Sequence, residues 1–379
     1  MASLYLHIPY CEKKCIYCDF YSIETMQTKE QFLAAIEAEI GMYAGRYSAG
    51  SSFETLFFGG GTPSLLSPSE LGYLLNALHK NYRIEPDAEI TVETNPGTVD
   101  FEKLRAYRAL GVNRLSIGIQ SFHEDELKVL SRIHSADDAR RCVDDAYRAG
   151  FDNVGVDLIF SLPHQTPERW RATLEQAVAL QPKHISAYSL IVEEHTPLFT
   201  MVKEGTVSPL PEETDSQIYE ETIALMTERG FHHYEISNYA RAGYECRHNK
   251  NYWNHSDYLS FGPSAHSFWK DGPVSGRRWW NVRSVTQYCE KISAGMPPVT
   301  GSEEVDKEKM FNEAIFLGLR TGELNIEAVR REYGVDLLST RSAKLKDFLD
   351  GGLLKIDDRS ITLTDKGYLV CDAIVEALL

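Results

Sequence analysis

The chain has 379 residues, 43% hydrophobic and 25% charged, the balance of a folded globular protein with room for one large domain or a large and a small one. Its formal net charge of −16 repels polyanions, and its densest basic pairs (Arg140-Arg141, Arg277-Arg278 and Arg330-Arg331) are short, so no nucleic-acid partner is expected. Met1 to Tyr10 lacks the regions of a signal peptide, no apolar run nears the roughly 20 residues that span a bilayer, and seven cysteines with three crowded together fit a reducing cytoplasm better than a disulfide framework.

The first strand-like segment, Leu4 to Ile8, lies in SLYLHIP and leads directly into CEKKCIYC. Cys11, Cys15 and Cys18 are three thiols in eight residues, which one short loop can bend towards a single inorganic core. Three cysteines leave a four-iron cubane one ligand short, so its fourth iron can take a small molecule. Zinc would want a fourth protein ligand, such as His7 or Asp19. Three unrelated free thiols are the plain alternative.

A helical pattern over Lys29 to Tyr43 precedes the strand Thr55 to Phe58, which runs into FFGGGTPS. Gly59, Gly60 and Gly61 allow a close backbone approach to a ligand, or simply a tight loop between strand and helix. No Gly-Lys-Ser/Thr follows, so this is not a P-loop. Next come a helix over Ser69 to His79, strands at Glu89 to Glu93 and Arg114 to Ile119, and a helix over Ala136 to Ala149. Ser135 suits the N-cap of that helix and Gly150 its C-terminal stop. Strands at Asn153 to Phe160 and His184 to Ile191 complete the series. A weak repeat of helix, glycine, apolar residue and strand recurs in ALGVNRLSIGI, RAGFDNVGVDLIF and ERGFHHYEIS. Repeated βα units with right-handed crossovers give a parallel sheet or barrel.

Period-2 alternation separates the faces of these strands. Leu115, Ile117 and Ile119 share one face, and Ser116, Gly118 and Gln120 the other. Val154, Val156, Leu158 and Phe160 likewise oppose Gly155 and Asp157. A doubly wound sheet is apolar on both faces. A small or polar face points instead to a barrel whose lumen holds something, or to a solvated sheet edge. In such barrels the chemistry sits at the C-terminal strand ends, where Glu93 and Gln120 fall.

Farther along, Cys246 precedes the aromatic-rich RHNKNYWNHSDYLSFGPSAHSF, which carries His248, His255 and His266. A neutral imidazole is a common axial ligand for heme iron, and Cys246 offers a thiolate. Ordinary polar residues in an aromatic loop are the alternative. Trp279 and Trp280 beside Arg277 and Arg278 suit a porphyrin face and its propionates, or core packing. From about Ser302 the texture changes. Helical patterns at Glu308 to Arg320, Ile326 to Glu332 and Ser339 to Leu349 precede two short strands around Asp357-Asp358-Arg359. This suggests a small winged-helix-like domain over 301–379, after a first domain over 1–300. Its 11 Lys and Arg against 16 Asp and Glu mark a packing or partner surface rather than a DNA reader.

Taken together, Cys-x3-Cys-x2-Cys and Gly-Gly-Gly-Thr-Pro resemble the radical S-adenosylmethionine (SAM) superfamily. Continuing through Tyr5, ITVETNP, LSIGIQSF, LSRIH and VDLIFSLPHQT, the chain is similar to the anaerobic coproporphyrinogen III oxidase-like family over most of residues 1–200. The resemblance implies an incomplete (β/α)6 barrel, a [4Fe–4S] cluster on Cys11, Cys15 and Cys18, and SAM cleaved reductively to a deoxyadenosyl radical. It carries SAM contacts onto Tyr5, Tyr17, Gly60, Gly61, Thr62, Glu93, Gln120, Arg132, Asp157 and Ile191. His248-Asn249-x-x-Tyr252-Trp253 resembles the HNxxYW signature of the family's heme-chaperone branch, which implies heme at His248 and a respiratory heme-acceptor protein as partner. Decarboxylating members carry a further cysteine two positions beyond the third, where this chain has Phe20, and a longer segment before the cluster. The oxidase activity, making protoporphyrinogen IX from coproporphyrinogen III, is therefore the alternative expectation.

Overall fold

The computed structural model describes residues 2–48 and 50–379. Six strands run parallel and side by side in chain order: β1 (Ala2–Ile8), β2 (Phe53–Gly60), β3 (Ile84–Thr94), β4 (Arg114–Gln120), β5 (Asn153–Phe160) and β6 (His184–Ser189). Helices Lys29–Tyr47, Pro68–Asn81, Phe101–Ala109, Ala136–Arg148 and Pro167–Ala179 lie between successive strands. Local chemistry fixes their ends. Ser67 with Glu70 and Ser135 with Asp138 form reciprocal capping boxes. Gly150, at φ 89°, takes the left-handed turn that stops the helix at the predicted place.

The alternation read from the sequence divides the sheet as expected. Leu4, Leu6, Ile8, Leu56, Phe58, Leu115, Ile117, Ile119, Val154, Val156 and Leu158 join helix residues such as Phe32, Leu74, Leu104 and Trp170 in one core. Each such side chain contributes about 1.5–3 kcal/mol by leaving water. The opposite face carries Thr55, Glu89, Glu93, Arg114, Ser116, Asp157, His184 and Ser186. That polar face is the inner wall of a barrel.

The sheet continues beyond the six expected strands. A hairpin of β7 (His232–Glu235) and β8 (Asn238–Ala240) lies antiparallel against β6. On the other side β9 (Tyr258–Phe261) pairs parallel with β1, followed by the antiparallel meander β10 (His266–Gly272), β11 (Ser275–Asn281) and β12 (Val299–Val305). The result is a 12-stranded sheet with β12 and β7 at opposite edges, so the barrel stays open. Ile191 lies past the end of β6.

A three-stranded sheet in the order β13 (Glu323–Asn325), β15 (Ser360–Leu363), β14 (Leu354–Ile356) anchors the C-terminal unit. Helices Lys307–Arg320, Ile326–Tyr333 and Ser342–Asp350 surround it, the last shorter than expected because Leu337–Thr340 forms a separate turn of helix. The unit docks on the large sheet. Ile236 N–H donates to the Arg320 carbonyl at 3.0 Å, and Arg278 reaches Glu313 at 2.7 Å. β12 runs through the division expected at 300/301 and belongs to the large sheet. No helix among the described residues is long and apolar enough to cross a membrane.

Candidate cofactor site

The polar face and the loops above it enclose a cavity of about 530 Å³, within the roughly 300–1,000 Å³ of pockets that hold small-molecule ligands. Cys11, Cys15 and Cys18 line it, together with Tyr17, Gly60, Gly61, Thr62, Glu93, Gln120, Arg132, Asp157 and Ile191. Residues spread over 180 positions of sequence thus meet at one mouth, at the C-terminal ends of the parallel strands.

The glycine run has a packing reason. A Cβ on Gly59 would stand 2.9 Å from the Tyr5 ring, on Gly60 2.8 Å from the His7 ring, and on Gly61 2.6 Å from the Tyr10 carbonyl. Gly60 also needs its φ of 111°. These absences let the turn press against the start of the cysteine loop, where Gly61 N–H donates to Ile8 at 2.8 Å and Thr62 N–H to Tyr10 at 2.7 Å. Thr62 Oγ1 then donates to Cys11 Sγ at 3.5 Å and accepts from Asn95 Nδ2 at 3.1 Å. Arg132 spans the same wall, donating to Gly118 O at 2.7 Å, Asn95 Oδ1 at 2.8 Å and Cys15 Sγ at 3.7 Å.

Two carboxylates face the lumen. Asp157 accepts from Ser116 at 2.9 and 3.0 Å and from Ser186 at 2.7 Å. Among the described residues Glu93 accepts only from Gly60 N–H, at 3.1 Å. Burial, with Asp157 as a second cause, pushes Glu93 up to about 8, so it holds its proton at neutral pH and can donate. Tyr17 packs on Leu130, Ile159 and Leu162, and burial raises its phenol.

Two expected site residues lie outside the cavity lining. Tyr5 is turned behind the glycine run, its hydroxyl donating to His7 Nδ1 at 3.2 Å. His248 lies at the opposite end of the barrel. Its short helix, Arg247–Trp253, covers the N-terminal ends of β1 to β3: Arg247 pairs with Glu54 at 3.3 Å, His248 N–H donates to Glu89 at 3.2 Å, and Asn251 donates to Ser3 at 2.8 Å. The His248 ring is 2% exposed, bonded at Nδ1 to Thr55 Oγ1 (2.7 Å) and at Nε2 to Tyr252 OH (3.1 Å), and stacked on Phe57 at 4.9 Å. Burial, then Arg114, lowers it to about 3, so it is neutral, yet neither nitrogen is free for iron. Cys246 is buried and donates to Glu89 at 3.6 Å. Trp279 stacks on Tyr47 at 5.5 Å and Arg278 pairs with Glu303 and Glu313, which is the core-packing reading.

Arg114, His184, Ser186 and Asn95, which no sequence motif singles out, also line the cavity, as do Cys246 and Asn249 of the histidine segment. For Arg114 the signal was present: it shares the inward register of Ser116, Gly118 and Gln120.

A model of the Radical SAM superfamily matches residues 5–177, and one of the HemN C-terminal domain matches residues 305–370. The chain is 35% identical over 383 residues to the heme chaperone HemW of Bacillus subtilis (strain 168), spanning 100% of this chain and 99% of that protein. It is 34% identical over 388 residues to the mitochondrial radical S-adenosyl methionine domain-containing protein 1 of Bos taurus, spanning 100% of this chain and 87% of that protein. Among solved structures it matches coproporphyrinogen III oxidase (HemN) from Escherichia coli at a TM-score of 0.85 and 25% identity, covering 100% of this chain and 89% of that one. The chain belongs to the HemW family of radical SAM proteins.

The superfamily implies a [4Fe–4S] cluster and SAM. The donor chemistry suits the cluster better than zinc. All three thiols line one cavity, although among the described residues no three potential ligands already converge as a metal site. Neither fourth ligand imagined for zinc is free: His7 Nε2 donates to the Tyr21 carbonyl at 2.8 Å, and Asp19 pairs with Arg283 at 3.0 Å. Three sulfurs with no fourth protein ligand among the described residues match a cubane with one open iron.

Proposed function

We propose that this protein is a heme chaperone that holds a [4Fe–4S] cluster on Cys11, Cys15 and Cys18, binds SAM beside it, and hands heme to a respiratory acceptor protein. The observation that carries this reading is the full-length likeness to proteins named heme chaperone HemW. When bound, the cluster supplies a single electron to the sulfonium of SAM. The chain's own residues do the positioning. Arg132, already braced by Gly118 and Asn95, offers charge to the SAM carboxylate, and Thr62 and the Gly60-Gly61 backbone border the same wall. Protonated Glu93 can donate, while the Asp157 oxygens accept from Ser116 and Ser186, which gives the lumen two different partners for hydroxyl and amino groups.

Heme, as cargo, suits the mouth better than the floor. Phe20 (70% exposed) and Ile191 (66% exposed) line the cavity and present apolar surface to solvent there, with Tyr188 beside them. Heme ligation by His248 instead requires its helix to withdraw and two buried hydrogen bonds to break. The alternative reading is an oxygen-independent coproporphyrinogen III oxidase, favoured by the structural match to HemN and opposed by Phe20 in place of a cysteine. Anaerobic reconstitution followed by heme titration tests the choice. The expected result is a bound-heme absorption band beside that of the cluster, with heme passing to an acceptor apoprotein. Conversion of coproporphyrinogen III without heme binding would sink the chaperone reading.

A further inference from the structure

We infer that the floor of the barrel is a binding site for one carboxylate group, held by Arg114 with His184 beside it. Arg114 opens β4 on the inward side, is 2% exposed, and lines the cavity. Its Nε has no hydrogen-bond partner, and its guanidinium makes no ion pair, among the described residues. Burying an unpaired guanidinium is costly, and buried charges are ordinarily paired. The acids closest in the fold are committed elsewhere. Glu89 accepts from the Cys246 thiol and from the N–H groups of Arg247 and His248. Asp157 accepts from Ser116 and Ser186. Both temper the field of Arg114 while leaving its N–H fork unspent.

His184 adds a neutral donor. The Tyr234 hydroxyl accepts from Cys246 N–H at 3.3 Å and stands 2.8 Å from His184 Nε2, to which it can donate. In that tautomer the imidazole proton sits on Nδ1, which has no partner among the described residues. Gly155 lies between the two, where a Cβ would make ordinary contact with both Arg114 Nη2 and His184 Cβ at 3.5 Å. One guanidinium fork with one neutral donor beside it matches the two oxygens of a single carboxylate. A phosphate dianion would meet Glu89 and Asp157 with no second cation to offset them. The carboxylate is either a free small acid or an arm of a larger ligand that enters from the mouth, such as a tetrapyrrole propionate.

Ligand-observed NMR with sodium propionate and the purified full-length protein tests the site, without cluster or heme in the readout. We expect saturable binding, weakened about tenfold or more by Arg114→Gln. Gly155→Ala keeps the charge but fills the open face, and should weaken binding severalfold; it decides the matter if Arg114→Gln does not fold. Failure of the wild-type protein to bind propionate, or unchanged binding in the variants, would overturn the site. Competition of propionate with a free-acid porphyrin, but not with its dimethyl ester, assigns the carboxylate to a tetrapyrrole arm. Propionate binding without competition assigns it to a free small acid and still supports the site. The site stands on Arg114 alone: propionate binding with no porphyrin binding would keep it and remove the heme reading.

Discussion

The two ends of the barrel are built from the same strands and the same inward face, yet they are opposite in character. At the mouth, polar groups are held on one side and open on the other: Glu93 takes a single bond from Gly60, and two of the three cysteines are part-exposed. At the floor, beneath the helix Arg247–Trp253, Thr55, Glu89, His248 and Asn251 are bonded to one another or to their neighbours. Arg114 Nε and His184 Nδ1 are unpartnered there among the described residues, as are Thr91 Oγ1 and Trp253 Nε1. A polar inward face is therefore not one site. At one end its groups await ligands, and at the other most of them seal the barrel.

The largest contrast should come from replacing Cys11, Cys15 and Cys18 together with alanine. Iron and sulfide incorporation should be abolished, while far-UV circular dichroism is retained, because the loop contributes little to the core. Global unfolding of the variant would show that the mouth is structural after all. The mirror experiment is His248→Ala. It removes two buried hydrogen bonds and a ring stacked on Phe57, leaving Thr55 unpaired. A loss of about 2–4 kcal/mol is expected in chemical denaturation. A variant with unchanged stability but altered heme spectra would move His248 from seal to ligand.

Why the sequence spoke clearly about one end and not the other follows from what each motif encodes. The period-2 pattern of β4 and β5 exposed the polar face directly, since each side chain's face is set by its parity. Ser135 and Gly150 marked helix ends because capping is local chemistry. The cysteine and glycine runs adjoin strand C-termini, so the chain itself puts them at the mouth. His248 had no such anchor. Its motif gives composition, whereas its place under β1 to β3 depends on contacts such as Asn251 with Ser3, 248 residues apart. β8 to β12 escape the sequence for a related reason. They are short or polar, and β9 is recruited by pairing with β1 rather than by a pattern of its own.

Glu93 sharpens the comparison through pH. Its folded value of about 8 lies above the ordinary 4.5, chiefly through burial. The stability this proton confers is complete below about 4.5 and is lost as pH rises towards and through 8. Glu93→Gln cannot ionise, so the stability of the wild-type protein relative to this variant should fall by about 1–3 kcal/mol between pH 5 and 8.5. Comparing the two proteins matters because buried Glu39 and Glu235, both pushed up to about 7, bend each curve alike. A difference that does not vary with pH would mean that Glu93 is ionised and the mouth wetter than its geometry suggests.

Phe20 carries the smallest stability effect and the most direct test of where heme sits. At 70% exposed it buries little, so Phe20→Ser should shift unfolding by no more than about 0.5 kcal/mol. Its ring nonetheless borders the cavity beside Asp19 and Cys18. An aromatic side chain held in water at a cavity rim gains only when something flat and apolar covers it. If heme docks at the mouth, the variant should bind it severalfold more weakly in an absorption titration, at unchanged melting temperature. Paired with His248→Ala, the result separates the two ends: a mouth site predicts lost affinity without lost stability at Phe20 and the reverse at His248. Equal heme affinity in Phe20→Ser and wild-type protein, with a loss in His248→Ala, would place the cargo at the floor and require the short helix to open.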